Sequence, residues 1–437
     1  MKRFQIIMLL VLVFTLMMLP FFRGLEQFPL HGDENLWLYS AKYFKLFFVD
    51  YDLENPQWFE DWAYDQPPVG KYLIGGVLHL AGYADIPKVL GETEQWNFLK
   101  GKEENISRGA MPPKEILLPV RRLMAGLGFS SCLILFGIGY ALGGVRLGIL
   151  AGLLLAWNPL VQNTCRRAMP DAALLFFLLA SVAAIFLFYR RMIAGKFKEA
   201  FLFCVLHGVL SALAAGTKYS GGLSMIVLAS FMVYLCLVIG LQSLFFKRDE
   251  RLNRENGKLL LTVLTGFLLS GFFAFVCFVG LNPYLYHETL EKLRYMIGYR
   301  HDIICFQQSE IGPALLSVSE RLPRVYWRIF YPPNYVVIGN LFKFPAELYL
   351  FVLGIGCLMW NEIKMLWHRW LPSEGAILLL WVIIAYGGIS LWIPLDWDRY
   401  YLPIIPGVTL VVAFAIEALL RGLSRAAEMV LERRQNS

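Results

Sequence analysis

Apolar residues in this chain arrive in long unbroken runs. A membrane-crossing helix needs roughly 20 consecutive apolar residues. About ten runs approach that length, at 4–22, 117–142, 145–161, 170–189, 200–216, 219–246, 258–281, 344–360, 375–393 and 400–420. The run at 145–161 is short, the region near Trp360 is weakly defined, and Leu73–Leu80 is apolar but too short to span. The pattern predicts an all-α polytopic membrane protein with about ten transmembrane helices. Two polar segments interrupt it, 23–116 and 282–343. The first is acidic in its first half and carries aromatic stretches that suit helices lying along a membrane surface. The second is rich in Tyr, Arg and Pro. No repeat and no low-complexity linker divides the chain, so residues 1–437 read as one membrane domain with two extracytoplasmic lobes. The role of 84–116 is not legible.

Composition agrees, since 57% of the 437 residues are hydrophobic and 17% charged. The net charge of +7 is concentrated in short loops, which gives no reason to invoke nucleic acid. Threaded alternately, the runs collect Lys2, Arg3, Arg146, Arg190, Arg191, Lys196, Lys198, Lys247, Arg248, Arg251, Arg254 and Lys258 on one face. Lys364, Arg369, Arg421, Arg425, Arg433 and Arg434 join them. That face is cytoplasmic by the positive-inside bias. Both termini then lie inside, in a plasma or inner membrane, with both lobes outside. The start resembles a signal peptide, but no small-residue cleavage site follows, so it reads as an uncleaved first span. The seven cysteines are scattered without metal-ligand spacing and read as reduced packing residues.

The candidate chemistry lies where this charge pattern breaks. Arg166-Arg167, Lys218 and Arg399 fall on outer connections, where Lys and Arg are disfavoured. Cations held there suit a bound phosphate, although binding lipid headgroups or capping helix ends would account for any one of them. Asp33-Glu34 faces the same compartment just beyond the first span, and Asp65 and Asp171 follow later. A carboxylate base beside cations that stabilise a leaving phosphate is the arrangement for group transfer to a hydroxyl or amine. Asp171 after Pro170 also reads as an ordinary helix-start residue, and Asp33-Glu34 as an N-cap pair. In the second lobe, Arg300 and His301 beside Asp302 are candidates to complete a phosphate or metal site. The aromatic Tyr326-Trp327 and Phe330-Tyr331 suit an interfacial belt. Asn105-Ile106-Ser107 matches a glycosylation sequon, a common chance pattern.

The ordered set is an acidic pair after the first span, Pro67-Pro68-Val69-Gly70-Lys71, Arg166 through Pro170-Asp171, Thr217-Lys218-Tyr219, and Arg399-Tyr400 before Pro403. It resembles the GT-C superfamily of membrane glycosyltransferases, nearest to the protein O-mannosyltransferases and the bacterial aminoarabinose transferase. The resemblance covers most of 1–245 and the segment 396–406. It implies a polyprenyl- or dolichyl-phosphate sugar donor, and a protein, lipid or glycan acceptor on the outer face. It implies a catalytic Asp at Asp33 with Glu34 its companion, and a donor-phosphate contact at Lys71 of the Pro-Pro helix start. Asp65 would help hold donor or metal, Asp171 stands at the outer start of a span, Lys218 contacts phosphate, and Arg399-Tyr400 closes the set. Gln66 departs from the His or basic residue that these subgroups carry there, which leaves the sugar open. A divalent ion at Asp33, Glu34 and Asp65 stays open too. From the residues alone, a transporter or flippase of an anionic lipid or solute is the alternative. It calls for binding residues near the bilayer midplane on broken helices.

Overall fold

The computed structural model describes residues 2–91, 93–245, 250–311 and 314–435. Its helices are α1 (Lys2–Phe22), α2 (Gly32–Tyr39), α3 (Val69–Leu80), α4 (Lys114–Gly143), α5 (Val145–Ala156), α6 (Pro159–Cys165), α7 (Asp171–Ile193) and α8 (Phe197–Thr217). They continue as α9 (Leu223–Phe245), α10 (Glu250–Gly280), α11 (Thr289–Glu310), α12 (Val318–Phe330), α13 (Ala346–Arg369), α14 (Glu374–Trp392) and α15 (Ile405–Gln435), with short turns between. Among the described residues β pairing amounts to one isolated bridge, Ala314 to Leu395.

Eight of these helices are long and apolar enough to cross a membrane, namely α4, α7 to α10 and α13 to α15. The chain is an integral membrane protein. A bent pair of helices is the ninth candidate for a crossing. The expected run at 145–161 divides into α5 and α6, bent by 62°. The break has a local cause. Pro159 cannot continue a helical ladder, and the Asn158 side chain accepts from the amides of Leu160 and Val161 to start α6 afresh. The first expected run lies on α1, whose apolar stretch is Ile7–Phe22. The last starts five residues later than its run, because Asp398–Tyr401 forms a 3-10 turn ahead of α15. Lys247 and Arg248 of the basic loop set lie outside the described residues, as do the side chains of Lys2, Arg3, Arg251, Arg433 and Arg434.

The bundle is graded from centre to rim. In α7, 72% of the apolar window is buried, against 22% in α10 and 17% in α13. So α7 is the hub and the other two present their side chains to lipid. All cysteines are free, and Cys132, Cys165 and Cys204 are buried. Asn105 of the sequon is buried too: its amide donates to the carbonyls of Asn97 and Gly101 at 2.9 and 3.0 Å, so this Asn is a loop organiser.

Two devices anchor the first lobe to the bundle. Glu34 is fully buried and takes a bidentate pair from Arg121 of α4, at 2.8 and 3.0 Å. The same carboxylate accepts the amides of His31 and Ala168, both at 3.1 Å. One side chain thus fixes α2, the loop before it and the connection to α7. The second device is Gly70, where an added Cβ would lie 2.6 Å from the Pro170 side chain. Only glycine lets α3 approach the start of α7 so closely.

Candidate active site

Above α7 the ends of several helices enclose a cavity of about 740 Å³. Asp33 projects into it from the first turn of α2. His31 precedes the helix as its N-cap, with Nδ1 accepting the Asp33 amide at 3.2 Å. Burial, with the charges of Arg167, Arg399 and Lys218 adding to it, lowers the His31 pKa to about 3. The imidazole therefore stays neutral and keeps an acceptor nitrogen for that amide.

Asp33 forms an ion pair with Arg399. Arg399 lies in the 3-10 turn before α15, with its guanidinium 4.6 Å from the Trp397 ring centroid and 5.7 Å from that of Tyr400. The two rings are nearly parallel. Burial lowers the Arg399 pKa, but a guanidinium remains charged. The turn itself is clamped from α12. Asp396, buried, accepts from Arg324 at 2.6 Å, Arg328 at 2.7 Å and the Tyr401 hydroxyl at 2.7 Å.

Two further cations line the cavity, each with a carboxylate. Lys218 follows the end of α8 in extended conformation and donates to Asp171 at 2.7 Å. Asp171 is buried, and its second oxygen has no partner. Arg300 of α11 donates to Asp65 at 3.1 Å, joining the second lobe to the first. Lys71 is buried at the start of α3 and donates to the carbonyls of Trp62, Ala63 and Gln66. Burial lowers its pKa to about 7, while three carbonyls match the three N–H bonds of an ammonium.

The cavity thus brings together Asp33, Asp65, Lys71, Lys218, Arg300, Arg399 and Tyr400. Asp171 acts from behind Lys218. Glu34 points the other way, into the Arg121 pair. Arg166 lies outside the lining, stacked 4.2 Å above Phe28 and bonded to the Arg23 carbonyl. His301 is exposed, its Nε2 3.7 Å from Cys305 Sγ, and does not line the cavity. Among the described residues no group of three or more His, Cys, Asp or Glu is placed to hold a metal ion. Sequence reasoning missed Arg121, Asp396 and Trp397. Arg121 did carry a signal, being a charge inside the apolar run 117–142. Asp396, an acid three residues ahead of Arg399, was a second.

The cavity walls are mostly apolar. Leu223 and Ile226 of α9 face Ile389 and Trp392 of α14 across it, and Ile226 and Trp392 are each more than half exposed at its lipid side. At Gly388 an added Cβ would meet the Leu223 side chain at 2.8 Å, so this opening owes its width to a missing side chain.

No family model and no curated protein sequence matches the chain. Solved structures do match it. The archaeal oligosaccharyltransferase AglB from Archaeoglobus fulgidus, in complex with an inhibitory peptide and a dolichol-phosphate, aligns at a TM-score of 0.55 and 13% identity over 98% of this chain. ArnT from Cupriavidus metallidurans, bound to undecaprenyl phosphate, aligns at 0.51 and 16% identity over 93%. The chain spans only 52% of the first of those proteins and 60% of the second. The likeness is one of fold, shared with both of these structures over nearly the whole of this chain.

Proposed function

We propose that the chain is a glycosyltransferase that moves a sugar from a polyprenyl- or dolichyl-phosphate carrier to an acceptor on the extracytoplasmic face. The observation that carries this reading is the convergence of Asp33, Lys218, Arg300 and Arg399 on one cavity whose apolar side opens between α9 and α14. Phosphate oxygens take Arg399, Lys218 and Arg300, and the prenyl chain leaves through the apolar side. Once phosphate engages Arg399, Asp33 is free to act as a base. It takes the proton of the acceptor hydroxyl or amine as that atom bonds the anomeric carbon. The carbon–oxygen bond to phosphate breaks, its electron pair stays on the phosphate, and the anomeric centre inverts. Arg399 and Lys218 stabilise the departing charge. Tyr400 and Asp65 face the sugar, and the neighbours' dolichol-phosphate and undecaprenyl phosphate support a lipid-phosphate donor.

The cations stand at helix ends, at the end of α8 and before α15, rather than on broken helices at mid-bundle. A transporter of an anionic lipid finds no support in that placement. The positive-inside bias then puts both termini in the cytoplasm and the cavity outside. The test is Asp33→Asn in proteoliposomes supplied with polyprenyl-phosphate sugars. Loss of a positioned base costs roughly 100-fold or more in turnover. Transfer at the unmodified rate by a folded Asp33→Asn protein would overturn the assignment of the base.

A further inference from the structure

His207 is a titratable group that does not line the cavity. It stands in the apolar stretch of α8 and is buried. A histidine inside a membrane-crossing helix is rare unless it is put to use. Both of its ring nitrogens have partners. Nδ1 lies 2.7 Å from the Ser270 hydroxyl of α10, and Nε2 lies 3.3 Å from the Ser211 hydroxyl one turn further along α8. Ser211 in turn lies 2.8 Å from the Ser224 hydroxyl in the first turn of α9, and Ser224 donates to the Gly221 carbonyl at 3.2 Å. All four side chains are buried.

The last bond fixes the direction of this chain. A carbonyl only accepts, so the Ser224 hydrogen goes to Gly221. Ser211 then donates to Ser224 and has no hydrogen left for the imidazole. Nε2 therefore carries the ring hydrogen and donates to Ser211, and in the neutral ring Nδ1 accepts from Ser270. The hydrogen bonds run one way, from α10 through α8 to the turn between α8 and α9. That turn carries a cavity cation. The Gly221 amide donates to the Lys218 carbonyl at 2.8 Å, and Lys218, Tyr219, Ser220 and Gly222 line the cavity. Both ends of the chain are tightly packed. An added Cβ on Gly208 would lie 2.4 Å from the Ser270 carbonyl oxygen, and one on Gly221 would lie 2.1 Å from the Ala214 backbone. Glycine lets these backbones close until the hydroxyls and the ring meet.

We propose that His207 is a positioning residue for Lys218. Through Ser211, Ser224 and Gly221 it holds the backbone from which Lys218 reaches the donor phosphate. The inference rests on the reading of Lys218 as a phosphate contact. Lys218 is a single extended residue between α8 and the turn that follows, so its direction depends on where that turn is held. Apolar packing alone would let the turn slide. A fully satisfied polar network is directional and, in a bundle interior without water, gives the turn one register.

The test measures binding of undecaprenyl phosphate to the full chain in phosphatidylcholine nanodiscs. Lys218→Met weakens binding about tenfold or more, the loss of a hydrogen bond between charged groups. His207→Leu and Ser224→Ala each weaken it about fivefold with Lys218 present and change it less than about twofold in the Lys218→Met background, since residues that act as one unit are not additive. His207→Gln, whose amide offers one acceptor and one donor as the neutral ring does, stays within about twofold of the unmodified protein. An equal loss in both backgrounds makes His207 a purely structural residue and overturns the proposal, as does undiminished binding by His207→Leu. Nitrogen NMR of the histidine-labelled, unmodified protein shows the Nε2–H tautomer at His207. The Nδ1–H tautomer there overturns the chain without recourse to any variant. Undiminished binding by Lys218→Met overturns the phosphate reading itself, so the two failures are told apart.

Discussion

Adjacent residues have opposite fates at the centre of this protein. Asp33 and Glu34 are one position apart on a helix, about 100° around its axis, so one faces the cavity and the other the bundle. Glu34 serves as the anchor and Asp33 as the carboxylate that faces the cavity. Removing one partner of a buried pair leaves an uncompensated charge and costs about 3–5 kcal/mol, whereas replacing both by apolar groups costs far less. Arg121→Met should therefore lower the thermal midpoint in detergent sharply, and Arg121→Met with Glu34→Leu should recover much of the loss. Lys71 makes a second residue-scale test. Its folded pKa of about 7 lies below its ordinary value of 10.5. The folded protein binds that proton less tightly than the unfolded chain does, so stability rises as pH climbs from about 7 towards 10. The thermal midpoint should increase over that window, and Lys71→Met should remove the increase.

At the scale of elements, helix ends do the work. The C-terminus of α8, the first turns of α2, α3 and α7, and the turn before α15 meet around one space, while the helix middles pack or face lipid. The gap between α9 and α14 depends on Gly388. Gly388→Leu places a side chain against Leu223 and narrows the apolar opening. Such a change should raise KM for donors with long prenyl chains more than for short-chain ones, with kcat less affected. An equal effect on both would mean that the carrier does not use this opening. The bent pair was half legible. Pro159 lay in view within the run 145–161, yet hydropathy alone spans it without interruption. The bend followed from the Asn158 cap, which hydropathy does not weigh.

At the scale of the whole molecule, topology governs which groups meet outside reagents. Cys305 on α11 is exposed, and Cys132 and Cys165 are buried. If the second lobe faces outward, a membrane-impermeant maleimide should label Cys305 in intact cells without permeabilisation, and Cys132 and Cys165 only after unfolding. Labelling of Cys305 that needs permeabilisation would invert the topology drawn from the charge bias.

Much of this architecture was settled by the order of residues alone. Runs of apolar residues can satisfy their backbone in a bilayer only as helices, so class and approximate crossings follow from one dimension. Cations against the orienting bias marked Lys218 and Arg399 for the same reason. What the order of residues could not settle was pairing. Asp65 and Arg300 are separated by 235 positions, and Asp171 and Lys218 by 47. Arg166 and Lys218 look alike as stranded charges, yet one lines the cavity and the other does not. Electrostatic partnership depends on distance and burial across the whole fold, and only the packed bundle around α7 sets those.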